Sequence, residues 1–164
     1  MTRSRGAVAN SLVRQAFALR ARFPEAKTKL MPTRFTWTGT LQPNELSRVY
    51  TVRITLTEGR FPKVDVLDPA LEGRPGESIP HLFADGSLCL HLEGEWDSTM
   101  LMVDTTVPWT SEWLLNYEVW KATGVWYGGG AWPPRRQDPD QEPSASSPVP
   151  RNRADLSEDG YPRW

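Results

Sequence analysis

The chain has 164 residues, of which 38% are hydrophobic, with a formal net charge of −1 and one cysteine. That length fits one domain with a tail and a core large enough to need no staples, and a lone thiol excludes an internal disulfide framework and suits a reducing compartment. The near-neutral balance gives no support to a nucleic-acid surface, and no apolar run approaches the ~20 residues that cross a bilayer. Arg3 and Arg5 are not followed by a continuous apolar stretch or a small-residue cleavage site, so no secretory signal is read and a cytoplasmic location is expected.

The first predicted element is an amphipathic helix over 10–23, NSLVRQAFALRARF. Leu12, Ala16, Leu19 and Phe23 recur at helical spacing, while Arg14, Gln15, Arg20 and Arg22 take the other side. Asn10 or Ser11 can cap its start, and Pro24 stops it. The polar side reads as a solvated face on a helix packed against a sheet, or as a docking face for a partner.

Three strands are predicted next, over 35–41, 47–56 and 61–67. All are rich in β-branched and aromatic residues with period-2 alternation. In the second, Tyr50, Val52, Ile54 and Leu56 share one face. The connectors Gln42-Pro43-Asn44 and Glu58-Gly59-Arg60 are short, which implies an antiparallel meander. Residues 68–80 read as a loop, broken by Pro69, Gly73, Pro75, Gly76 and Pro80.

The stretch Ile79–Leu90, IPHLFADGSLCL, holds Cys89 and His81, and His91 follows just beyond. Asp85-Gly86 favours a tight turn, because Gly tolerates positive φ and Asp can bond its own backbone. The thiol is therefore expected on a constrained loop. After the irregular HLEGEWDSTM, Ser98 or Thr99 is expected to cap a helical region that Pro108 divides into two pieces. In the second piece Trp109, Trp113, Leu114, Tyr117 and Trp120 recur at helical spacing, a stripe that reads as core, and Gly124 ends it. Glycines 128–130 read as a flexible exit. From 133 to 164 the chain is rich in Pro, Ser and charge and almost lacks aliphatic residues, so a disordered or loosely wrapping tail is expected after a domain over 1–132.

The order of helix, meander, Pro-rich loop, cysteine loop and helices resembles the ubiquitin-conjugating (UBC-like) α+β fold. In that family a His-Pro-Asn tripeptide precedes the catalytic cysteine, a Gly and a Leu flank the cysteine, and a Trp lies beyond. Pro80, Gly86, Cys89, Leu90 and Trp96 keep those places here. Ile79 replaces the tripeptide's His and His81 its Asn, so the family's oxyanion donor is changed. The run PWTSEWLLNYEVWKATGVWYGGG is similar to the standalone bacterial members that sit in anti-phage operons beside a cGAS-like nucleotidyltransferase, the short type II CBASS systems. The resemblance covers roughly residues 8–132. It implies a conjugating acyltransferase of bacterial antiviral defence. The acyl partner would be the C-terminus of that nucleotidyltransferase, or of a ubiquitin-like protein.

The chemistry implied is acyl transfer through a thioester on Cys89, since a thiolate attacks carbonyls and its thioester stays reactive towards amines. Both transfer steps need a donor for the tetrahedral oxyanion. An imidazole N–H at His81 can supply one, or His81 can serve only to brace the loop. His91 is a weaker candidate, Asp85 reads as a turn former and Asp97 as a helix cap. Trp96 and Trp109 read as structural supports. No phosphate-cradling glycine loop is present, so a separate activating enzyme or the partner itself must activate the acyl group. No cofactor, metal, nucleic acid or membrane is expected. Two other readings stay open: a catalytically inactive module that only binds its partner, and a thiol hydrolase using a Cys-His dyad.

Overall fold

The computed structural model describes residues 10–129. The predicted tail over 133–164 lies outside the described residues, as do the first nine. The described elements are two helices and one four-stranded antiparallel sheet, an α+β arrangement.

Helix α1 spans Leu12–Arg22. The Ser11 side chain accepts a hydrogen bond from the Arg14 amide at 3.2 Å, which satisfies one of the donors a helix start leaves unpaired. Its inner face differs from the sequence expectation at one position. Gln15, assigned to the outer side, is buried, whereas Phe17 is 76% exposed. Gln15 sits between Leu12 and Leu19 on the helix surface, so whatever Leu19 packs against also covers Gln15. The amide is accommodated because both its ends are bonded: Nε2 donates to the Met100 carbonyl at 2.7 Å, and Oε1 accepts from the Met102 amide at 2.8 Å. Asn10 adds a second tie, its Nδ2 donating to the Thr99 carbonyl at 2.6 Å. Polar groups thus dock α1 onto segment 98–102.

The sheet runs β1 (Lys27–Met31), β2 (Arg34–Leu41), β3 (Tyr50–Thr57), β4 (Lys63–Asp68), in that spatial order. The meander of β2, β3 and β4 matches the three predicted strands within a few residues at their ends. Strand β1 was not anticipated. KTKLM shows no buried alternation, because it is an edge strand with one partner and four of its five residues are exposed. On β2 and β3, Phe35, Trp37, Leu41, Tyr50, Val52, Ile54 and Leu56 all point inward and are buried. Gly39 has a packing reason: a Cβ there would come within 2.4 Å of the Trp37 indole, which lies across it.

Helix α2 spans Thr106–Thr123 without a break. The expected two helical pieces are one, because Pro108 stands in the first turn. There its missing N–H would have had no helical partner anyway. Segment 98–105 is a series of turns rather than helix. Asp97 accordingly caps no helix; its carboxylate accepts the Thr99 amide at 2.7 Å in a local turn. At the far end Gly124 adopts φ 82° and its N–H closes on the Trp120 carbonyl at 2.8 Å, the left-handed stop that glycine makes cheaply. Trp113, Leu114, Tyr117 and Trp120 are buried in one core cluster with the inward side chains of β2 and β3, while Trp109 of the same predicted stripe is only partly buried. The loop before the cysteine is pinned to α2 by Tyr117, whose hydroxyl accepts from the Glu72 amide at 2.9 Å and lies 3.1 Å from the Glu72 carbonyl.

Candidate active site

The cysteine loop is built on a tight turn. Gly86 has φ 82°, the left-handed region that a side chain resists. The Phe83 and Ser87 backbones pair across it at 2.9 Å, and Leu82 and Leu88 form an antiparallel bridge. Asp85 is a turn former, as read from sequence. Its Oδ1 accepts the Ser87 amide at 3.0 Å and hydroxyl at 2.6 Å, while Lys63 pairs with Oδ2 at 2.8 Å. The Lys63 bond, and after it the Ser87 bonds, hold the Asp85 carboxyl well below the usual carboxylate range. The Leu88 amide donates to the Val64 carbonyl at 2.9 Å, so the loop hangs from β4.

This anchoring brings Cys89 and His81 together. The Cys89 amide donates to the His81 carbonyl at 2.9 Å, and the Trp113 indole N–H donates to the same oxygen at 3.1 Å. His81 itself has φ 52°, uncommon for a residue other than glycine, though His and Asn tolerate it better than most. Its ring lies 5.0 Å from that of Trp126. The Cys89 thiol is half-buried, 3.9 Å from the His91 carbonyl. Burial pushes its pKa up, so at neutral pH it is held as the protonated thiol. His91 turns its Nδ1 to the Leu92 carbonyl at 2.9 Å and lies between Trp109 and Phe61, its ring tilted against theirs with centroids 5.5 and 5.8 Å away.

Cys89 opens into a groove of about 510 Å³ with three walls. The cysteine loop gives Leu90, His91, Leu92 and Glu95; α2 gives Trp109, Glu112, Trp113 and Asn116; the segment after α2 gives Trp126, Gly128 and Gly129. That volume suits a small ligand or a stretch of peptide. Trp96 is buried against Phe61, a support as expected, whereas Trp109 lines the groove itself. The reading of sequence missed Glu112, Asn116, Trp126 and the glycines. Trp109, Glu112, Trp113 and Asn116 fall at i, i+3, i+4 and i+7, so one helix face bearing two polar residues was a legible signal. Nothing local marked Trp126.

Residues 15–133 match the protein family described as Type II CBASS E2 protein. The chain belongs to that family. A comparison with curated proteins gives no match. Membership in the CBASS E2 family places the chain in anti-phage defence, with an E2-like role among the products of a CBASS operon. The α+β architecture is consistent with the UBC-like fold such a role implies. Among the described residues no helix is long and apolar enough to cross a membrane.

Proposed function

We propose that this CBASS E2 protein is an acyl carrier. Cys89 forms a thioester with the C-terminus of a partner, a cGAS-like nucleotidyltransferase or a ubiquitin-like protein, and passes the acyl group to an acceptor. The observation that carries the reading is the placement of the chain's single thiol. It is half-buried on a braced loop and open to a groove with room for a peptide end. Burial raises the thiol's pKa, which suits a carrier that receives an already activated acyl group and has little need of a resident thiolate. His81 serves the site in two ways. Its carbonyl fixes the Cys89 backbone, and its imidazole is the proposed donor to the tetrahedral oxyanion.

The test is incubation with the modifier and activating protein encoded beside it, followed by intact mass analysis. A mass gain on Cys89 that thiol reductants remove, and that Cys89→Ala abolishes, is the expected result. Partner binding with no such gain would refute the carrier and establish the second reading, a partner-binding module without turnover. That second reading draws on one observation, the replacement of the family's His and Asn by Ile79 and His81. His81→Ala should slow loading at least about tenfold, or about 1.4 kcal/mol of barrier; unchanged turnover would remove His81 from the site.

A further inference from the structure

We propose that Trp126, on the strap that follows α2, is a positioning residue for the thioester loop: packed against the His81 ring, it holds in place the backbone that carries Cys89. The inference rests on the carrier reading above. Five observations converge on it. His81 adopts φ 52°, a conformation that relaxes unless its surroundings hold it. Trp113 grips the His81 backbone through the 3.1 Å bond to its carbonyl, and that same carbonyl receives the Cys89 amide. The Trp126 ring covers the His81 ring at 5.0 Å, inclined by 31°, and packs edge-on against Trp113 at 5.4 Å. His81 is thus held at both ends, by one tryptophan from α2 and one from the strap.

The strap is built to sit there. A Cβ on Gly128 would come within 2.6 Å of Trp126 Nε1 and 2.9 Å of Asn116 Nδ2, so a side chain there would push the Trp126 indole from its place. The buried Trp126 Nε1 has no hydrogen-bond partner among the described residues. Its indole therefore acts as a flat apolar plate, and a phenyl ring can replace it.

The test uses the full chain and a small donor, the mercaptoethanesulfonate thioester of N-acetylglycylglycine, at neutral pH. Cys89 Sγ bonds to the donor's carbonyl carbon, the bond from that carbon to the mercaptoethanesulfonate sulfur breaks, and the departing thiolate takes up the proton that Cys89 releases. Loading is followed by intact mass. Trp126→Ala should lower the loading rate at least about tenfold, and Trp126→Phe should stay within about twofold of the wild type. Gly128→Ala, which displaces the strap and leaves both tryptophans in the sequence, should reproduce the Trp126→Ala loss and carries the test if that variant does not fold. In the cycle with His81→Ala, the double variant should be no slower than His81→Ala alone, within about twofold. A wild type that loads together with a Trp126→Ala that loads equally well overturns the inference and leaves the carrier intact. Losses that multiply in the cycle, or a Trp126→Phe that stays slow, also overturn it. A wild-type thiol that never loads overturns the carrier reading and this inference with it.

Discussion

Replacing Gln15 by leucine keeps the side chain's bulk and removes both its polar ends. In the native fold Gln15 is 1% exposed, and it bonds the Met100 carbonyl at 2.7 Å and the Met102 amide at 2.8 Å. Met102 is fully buried, so its amide would be left without a partner and without water. An orphaned buried group costs about 1–3 kcal/mol; Met100 is only half-buried, so its carbonyl belongs at the low end of that range. The two together come to about 2–4 kcal/mol, and the added apolar burial of leucine returns about 1 kcal/mol. The net loss is about 1–3 kcal/mol, which for a domain of this size lowers Tm by about 4–12 °C. Thermal unfolding followed by circular dichroism reads that shift, and hydrogen exchange at the Met102 amide should accelerate with it. A drop below about 2 °C, or an unchanged Met102 amide, would refute the argument that this amide docks α1 onto segment 98–102.

Gly86→Ala should destabilise the chain by about 1–2 kcal/mol, the cost of forcing an L side chain into the left-handed region. No heavy atom lies within 4 Å of the new Cβ, so the penalty is conformational and not steric, and Gly86→Asn should recover part of it. Urea titration measures both variants; an Ala variant as stable as the wild type would mean that the turn does not need positive φ. The Cys89 thiol should react with iodoacetamide more slowly than a free cysteine peptide at neutral pH, with its rate midpoint above the ordinary value of about 8.5, because burial disfavours the thiolate. The sign for stability follows. The folded state prefers the protonated thiol, so this contribution is complete below pH ~8.5 and is lost as pH rises through the folded-state value. Cys89→Ser should flatten that alkaline limb, and a midpoint at or below that of the free peptide would contradict the burial.

Strand and helix positions were legible wherever one face of an element carries the core. Tyr50, Val52, Ile54 and Leu56 show it for β3, and Trp113, Tyr117 and Trp120 for α2. The turn before the thiol was legible too, because Asp85-Gly86 encodes its own geometry within a few residues. β1 was not, since an edge strand with lysines on its outer side buries too little to leave a pattern. Pro108 misled for a different reason: whether a proline breaks a helix or opens one depends on where the helix starts, and no side chain caps that start.

The sequence by itself determined the family and where its cysteine loop lies in the chain. One cysteine lies just beyond a turn, among the prolines, glycines and tryptophan of a conjugating family. Those features are local, written in φ preferences and short spacings. The tertiary structure alone decided what surrounds the sulfur. Gln15 became an inward-facing clamp, one face of α2 became a groove wall, and Trp126 came to rest on His81, 45 positions earlier in the chain. Contacts of that kind depend on which surfaces meet when helix and sheet pack, and the identity of a single side chain does not encode its distant neighbour.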